Sequence, residues 1–577
     1  MAMSAGMRAS IRSESAASRW IRAGFRLLAL TLGALQVWAA VRRSSMNADG
    51  IAYLDMGDAY LRGDWSNAVN PVWSPLYSWI LGAGMAVVQP PMAWEFPMVH
   101  LVNFALFLLA LLCFEFFWRQ LGRNRREAAG STARVLPDWA WLAIGYALFI
   151  WVTLSLIAVW AVTPDMLMAV LVLTAAGLIV RMRLGHAGWR PYLLLGLILG
   201  IAYLAKAVIF PLAFVFLGAA WLSARSLRAA APRAGGALLI FLLVSLPYIL
   251  AISLSHGRLT IGEAGTITYI RHVTGVTDPH WQGYHPDTRT HPSRQLLSHP
   301  PIYGFAEPIG GTYPISYNPA YWFEGATVEF DWGRQLQVLV RNGLYYARLF
   351  GWQQGGLLAV TILLYMLGPA RRTSLRELGR RWGLLLPALA ALLLYGLVYA
   401  EDRYIGVFLL LLWGDLLANV CLAGSSAGEK TLRAASLLMA GFLLLNIAAF
   451  NLEGYGRLAD ASAAMSEEAP PAQPVAVAAA LRQMGVGPGS TVAVIGYAYD
   501  SFWARLARVQ IVAELVDWPG NPFWTGDAAL QQSVLQAFAS SGACAVVAEY
   551  APARARLAGW QQVDSSSFYF YLLREEC

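Results

Sequence analysis

The 577-residue chain is short of charge, cysteine and histidine. Only 13% of its residues are charged and 58% are hydrophobic, where soluble domains run near about 25% charged and 45–50% apolar. With a mean hydropathy of +0.50, that imbalance excludes an ordinary soluble enzyme. The apolar residues gather into runs of roughly 20, the length that crosses a hydrocarbon core. The short alternating segments of a membrane β-barrel are missing. A clean signal-peptide cleavage pattern is missing too, so the basic start followed by Leu27–Ala40 reads as a retained first helix. The net charge is +8, but no long basic stripe exists, which argues against a nucleic-acid partner. Of the four cysteines, Cys113 and Cys421 lie in apolar runs and read as packing residues, whereas Cys544 and Cys577 could pair if their region is extracytoplasmic.

What is present is a polytopic α-helical membrane protein. Spans are predicted at about 21–41, 96–118, 138–160, 165–181, 191–205, 207–224, 234–254, 351–369, 383–400, 405–422 and 434–451. Arginine clusters test this layout of about 11 transmembrane helices. Arg8, Arg12, Arg19 and Arg22 precede the first span, and Arg119–Arg126, Arg181–Arg190, Arg225–Arg233, Arg371–Arg381 and Lys430–Arg433 follow the second, fourth, sixth, eighth and tenth. All fall on one side, which the positive-inside rule makes the cytoplasm. Ser74–Gln89 is apolar but short, and a crossing there would break the pattern, so it is expected to lie at or dip into the interface.

Residues 1–20 then form a cytoplasmic N-terminus, and 21–454 a transmembrane domain with outward loops at 42–95 and 255–350. Pro470, Pro471 and Pro474 mark a linker over 455–474. From 475 to 577 the pattern changes. Strands are expected at 491–497, 511–517, 544–550 and 568–573, with helices at 501–507 and 528–540, which makes a small extracytoplasmic α/β domain. Gly485, Gly487 and Gly489 precede the first strand rather than follow it, the wrong side for a nucleotide fingerprint.

Chemistry gathers on the outward side. The stretch MNADGIAYLDMGDAYLRGDWSNAVNPVWSPLY (46–77) holds four aspartates beside the membrane. Asp49 suits a general base or a metal orienter, or it belongs to a plain solvated loop. Gly63-Asp64 is expected to end an amphipathic helix over 50–62, with Trp65, Trp73, Tyr77 and Trp79 in the headgroup layer. Asp165 opens a span after Thr163-Pro164, where a helix cap is the plainer role. Lys206 interrupts AYLAKAVIF, a costly placement that implies a partner, a task or snorkelling. Arg403, in the turn VYAEDRYIGVF, is suited to grip a phosphate or to pair with Glu401 or Asp402.

The ordered set of an acid near the membrane in D-x-x-x-Y (Asp49, Tyr53), the segment PLY (75–77), TPDMLM (163–168), LGLILGIAYLAK (195–206) and EDRY (401–404) resembles the GT-C superfamily over roughly residues 20–450. Its members are integral-membrane glycosyltransferases that use polyprenyl-phosphate sugars, among them protein O-mannosyltransferases and lipid A aminoarabinose transferases. The resemblance implies a GT-C-like fold, a catalytic carboxylate at Asp49 and inverting transfer. It also points to Lys206 and Arg403 for the lipid-phosphate cradle, and with Tyr53, Asp165, Glu401 and Tyr404 these are expected to make one outward substrate-binding site. Many relatives carry a second acid beside the first, and here the neighbour is Gly50. That departure leaves the need for a divalent ion (Mg, Mn or Zn) open. The implied partners are a polyprenyl-phosphate sugar, an extracytoplasmic glycan, lipid or protein acceptor, and membrane lipids. The implied location is a bacterial inner membrane, multi-pass, with the C-terminal domain periplasmic.

Loop 255–350 carries His272, His280, His285, His291 and His299, but their spacing fits no zinc ligand pattern. Its Tyr, Trp and Pro suit a sugar-stacking or lipid-covering surface, or plain packing. Two rival classes remain. A transporter or flippase of a lipid-linked or anionic solute would show charges near mid-span and internal repeats, and a non-catalytic scaffold would need no grouping of acids and cations.

Overall fold

The computed structural model describes residues 16–577 apart from 43–45, 130–132, 187, 278–279, 281–292, 308, 319–320, 322–324, 369–382, 469–472, 517–521, 549–558, 564–565 and 575–576. The predicted cluster Arg371–Arg381, with His285 and His291, lies outside the described residues.

In hydrocarbon a chain must satisfy its own backbone hydrogen bonds, so the apolar runs become helices. Each of the eleven predicted spans falls on one. Six are by themselves long and apolar enough to cross a membrane: Ala16–Arg42, Met92–Glu127, Asp138–Leu156, Asp165–Arg183, Leu227–His256 and Ser426–Asn451. A seventh is a broken span, Trp332–Gln353 with Gly355–Leu367, bent by 80°. The other four predicted spans are Trp189–Ala205, Ile209–Leu222, Leu385–Val398 and Asp402–Asn419. At 14 residues Ile209–Leu222 and Leu385–Val398 reach only about 21 Å at 1.5 Å per residue. That is short of a core of about 30 Å, so length and composition support six or seven crossings. Pro75–Val88 forms a separate apolar helix of 14 residues.

Acids inside the bundle are matched. Arg26 grips Glu115 at 2.5 Å, and the Tyr146 hydroxyl donates to the same carboxylate at 2.6 Å. Arg183 faces the buried Asp415 at 3.7 Å. At this end of the bundle Ala133–Arg134 pairs antiparallel with Leu422–Ala423, tying together two arginine-flanked loops.

The helix Trp332–Arg348 turns two polar side chains inward: Gln335 and Asn342 donate to the Leu397 and Gly396 carbonyls at the end of the helix Leu385–Val398, each at 2.8 Å. Trp332, Leu336, Val340 and Leu344 face out, as expected of a helix lying against hydrocarbon.

Beyond the bundle the predicted α/β pattern is present. Strands Thr491–Ile495, Gln510–Leu515 and Ala545–Ala548 are parallel, Tyr569–Leu572 adds antiparallel to Ala545–Ala548 with the short Gln561–Gln562 outside it, and Phe502–Ala507 and Ala528–Ser540 are helical. Two boundaries differ from expectation. The last span continues as one helix, Ser426–Glu468, through most of the expected linker. The outward loop also contributes to the sheet: the hairpin Ser293–Ser298 and Pro301–Phe305 adds to the strand Gln510–Leu515, with Tyr303 opposite Glu514. The open edge of that strand supplies backbone groups the loop can satisfy, which spacing along the chain does not disclose. Cys544 and Cys577 are disulfide-bonded, and Cys113 and Cys421 are free.

Candidate active site

The Asp49 segment is a helix, Ala48–Arg62, ended by Gly63 at φ +70°, a left-handed position that favours glycine. It is not the interfacial amphipathic helix expected. Residues Gly50–Gly57 are buried on nearly all faces, because the helix is wedged between Pro75–Val88 and the outer structure. Gly57 and Gly82 let these two helices touch: a Cβ on Gly57 would lie 2.9 Å from the Ser78 carbonyl. Asn47 fixes the entry, accepting from the Val162 amide at 2.9 Å and donating to the Val162 carbonyl at 3.3 Å. Gly50 is required by this contact, since a Cβ there would lie 2.8 Å from Val162 Cγ1. A side chain at position 50, a second acid included, would therefore have to displace Met46 or Val162.

Of the expected headgroup anchors, Trp65 and Trp79 are exposed, but Tyr77 is buried and donates to Asn103 at 2.6 Å. Trp73 is half-buried and donates to the Ser316 carbonyl at 3.1 Å.

Asp165 is not the cap of its helix. Pro164 holds that position, and the Asp165 carboxylate receives Lys206 Nζ at 2.5 Å. Lys206 stands where the helix Trp189–Ala205 breaks, its backbone extended. Burial lowers the pKa of its ammonium, Asp165 opposes this, and Arg403 adds to it. The ammonium also lies over the Tyr404 ring at 3.9 Å, a cation–π contact. Arg403, beside Tyr404 in the first turn of Asp402–Asn419, reaches Glu401 at 3.0 Å and Asp49 at 3.4 Å. Of the two roles weighed for Arg403 the structure shows the ion pair with Glu401, and it adds a contact with Asp49.

These contacts form one chain, Asp49–Arg403–Tyr404–Lys206–Asp165, with Glu401 on Arg403. Tyr53 is buried in its midst. Its phenol is pushed well above its ordinary pKa by burial first, then by Asp49 and Asp165. The seven residues singled out from the sequence therefore share one site. Asp49 and Arg403 keep side-chain exposures of 35% and 22%, so the site is open at its edge.

Sequence reasoning missed a second layer. Tyr345 donates to Asp402. His272 stacks on Tyr399 with ring centres 4.2 Å apart. Burial, then Arg341 and Arg271, lowers the His272 pKa to about 4, so it is neutral at ordinary pH. Tyr499, from the turn after Thr491–Ile495, is close enough to Asp49 to feel its charge, although burial is the main reason its phenol's pKa rises. His280 instead pairs with Glu514 at 2.6 Å, and Tyr313 donates to the same carboxylate at 2.8 Å. Among the described residues His272 and His280 therefore have different partners and do not meet. Among the described residues no group of three or more His, Cys, Asp or Glu is placed to hold a metal.

No protein-family model matches the chain, and no curated protein does. Solved structures similar to it include ArnT from Cupriavidus metallidurans in the apo state, at 13% identity and a TM-score of 0.48, covering 96% of this chain and 98% of that one. The same protein bound to undecaprenyl phosphate gives 13% identity and a TM-score of 0.47 over 96% and 98%. The Archaeoglobus fulgidus oligosaccharyltransferase in complex with Zn and sulfate gives 12% identity and a TM-score of 0.44 over 90% and 68%.

Proposed function

We propose that the protein is a membrane glycosyltransferase that moves a sugar, with inversion, from a polyprenyl-phosphate donor to an extracytoplasmic acceptor. The observation that carries this reading is the contact of Asp49 with Arg403 inside a linked set of two cations and three carboxylates, open at one end of an apolar bundle. A lipid-linked phosphate needs such a place: its chain stays in hydrocarbon while its head meets fixed positive charge.

In the resting protein Asp49 is held by Arg403. A donor phosphate drawn to Arg403 and Lys206 competes for that guanidinium and frees Asp49. Asp49 then takes the proton of the acceptor hydroxyl as its oxygen attacks the anomeric carbon. The new oxygen–carbon bond forms as the bond from carbon to phosphate oxygen breaks, and the phosphate leaves with its charge against Lys206 and Arg403. Tyr53, Glu401 and Tyr404 orient these groups, and Asp165 fixes Lys206. These steps are written without a divalent ion; in the resting protein Asp165, Asp49 and Glu401 each face a lysine or an arginine. The Cys544–Cys577 bridge supports an oxidising, extracytoplasmic side for the C-terminal domain.

The test is transfer of label from a panel of polyprenyl-phosphate sugars into membrane extract, comparing wild type with Asp49→Asn at equal expression. Transfer by wild type that is lost in Asp49→Asn is the expected result. Equal transfer by both removes Asp49 from the chemistry. No transfer from any donor, with acceptor-rich extract, overturns the reading.

A further inference from the structure

Two arginines of the C-terminal domain enter a buried cluster that the proposed chemistry does not use. Arg505 Nη1 meets Asp55 Oδ1 at 2.6 Å and Asp58 Oδ2 at 2.7 Å, and its Nε meets Glu95 Oε1 at 2.7 Å. Arg508 adds Asp58 at 2.9 Å and Glu95 at 2.8 Å. The outward loop joins the same cluster. Thr312 donates its amide to Asp55 Oδ2 at 2.6 Å and its hydroxyl to Oδ1 at 3.0 Å, while its carbonyl accepts from the Ile511 amide at 2.9 Å. The Arg505 side chain is only 3% exposed, whereas that of Arg508 is 37% exposed.

Asp55 and Asp58 belong to the Asp49 helix. At about 100° per residue they lie roughly 240° and 180° around it from Asp49. One face of this helix thus presents Asp49 to Arg403, and the other is gripped from the C-terminal domain. We propose that Arg505 and Arg508 are positioning residues for Asp49, and that the C-terminal domain holds the candidate base in reach of Arg403. This rests on the reading of Asp49 given above. The cluster sets three carboxylates against two guanidiniums. Loss of one guanidinium strands buried negative charge, which is relieved by water entry or by movement of the helix. A shift of about 1 Å at a reacting group costs on the order of 100-fold in rate.

The half-exposed Arg508 gives the safer variant. Arg508→Gln is expected to lower kcat for sugar transfer at least about tenfold while leaving the donor KM within about twofold. Arg508→Gln with Asp58→Asn removes one carboxylate for the lost cation and is expected to regain most of kcat. Arg505→Lys, which keeps the charge but not the three-way grip, is expected to lose kcat without that rescue. A second readout needs no activity. With Cys113→Ala and Cys421→Ala as background, the maleimide reaction rate of Asp49→Cys is expected to change severalfold when Arg508→Gln is added, and that of Ser540→Cys to stay the same. Unchanged labelling at position 49 overturns the proposal, as does a kcat loss that only tracks the fraction of folded protein. If wild type transfers no sugar, the glycosyltransferase reading falls, and the labelling still decides whether the two arginines position this helix.

Discussion

Lys206 and Asp165 make a buried pair whose two ends are unequally covered, and this predicts unequal costs for breaking it. The Asp165 side chain is 4% exposed and that of Lys206 is 23% exposed. Lys206→Met leaves a carboxylate in a dry site without its ammonium. Removing one partner of a buried pair costs about 3–5 kcal/mol, and the coverage of Asp165 places this change within that range. Asp165→Asn leaves an ammonium that still has the Tyr404 ring at 3.9 Å and a long stem able to turn toward solvent, so its cost is about 1–2 kcal/mol. The two single variants are therefore expected to differ by about 2 kcal/mol, with Lys206→Met the worse. Lys206→Met with Asp165→Leu, which removes both charges, is expected to recover most of the stability and none of the affinity for polyprenyl phosphate. The assay is the thermal midpoint of purified protein in nanodiscs at one fixed scan rate, since a membrane protein of this size is compared by its kinetics of unfolding. Equal losses, or a larger loss for Asp165→Asn, would refute the argument that the stranded carboxylate is what costs.

Two further predictions follow from local geometry. Gly50→Ala drives a methyl to within 2.8 Å of Val162; it is expected to cost about 1–3 kcal/mol and to lower transfer more than donor binding, measured as kcat against KM, and full activity would show that the Asn47–Val162 contact does not set Asp49. His272 is neutral when folded, with its pKa lowered to about 4 by burial and by Arg341 and Arg271, against about 6.5 unfolded. Protons therefore favour the unfolded chain: the stability His272 contributes is complete above about pH 6.5 and is lost as pH falls toward 4. His272→Phe, which keeps the stack on Tyr399, is expected to flatten the fall of the thermal midpoint between pH 6.5 and 4, and an unchanged slope would assign that fall to other groups.

The legible part of this protein was whatever repeats locally. Apolar runs gave the helices and arginine asymmetry gave an expected sidedness. The sidedness in turn brought Asp49, Asp165, Lys206 and Arg403 to one end of the bundle before any contact was known. Lys206 stood out because a lysine inside the apolar AYLAKAVIF is costly, although a partner, a task and snorkelling were all compatible with it. The alternation of strands and helices after residue 490 was equally plain. What stayed hidden depends on contacts between distant segments. Gly50 read as a missing acid, because nothing in the sequence places Val162 against it. Tyr77 and Trp73 read as headgroup anchors, because an interfacial aromatic and a buried one look alike without their neighbours. The hairpin over 293–305 was unreadable as part of the C-terminal sheet, since its partner strand lies some 200 residues further on.

The same reasoning separates two kinds of charge in this chain. In the stretch 46–77 Asp49 is set apart from Asp55 and Asp58 only by its nearness to the first span and by D-x-x-x-Y, and the residue types alone do not tell the three acids apart. Their environments make them opposites. Asp49 keeps a partly exposed carboxylate near one guanidinium that a phosphate can claim. Asp55 has no such freedom: it is buried, and three donors from two other segments, the Thr312 amide and hydroxyl and the Arg505 guanidinium, already fill its oxygens. A carboxylate saturated in this way cannot accept a proton from a substrate without dismantling its cluster, whereas one held by a single long contact can. The acid to test for chemistry is therefore the loosely held one, and the acids that look most heavily engaged are those that keep it in place.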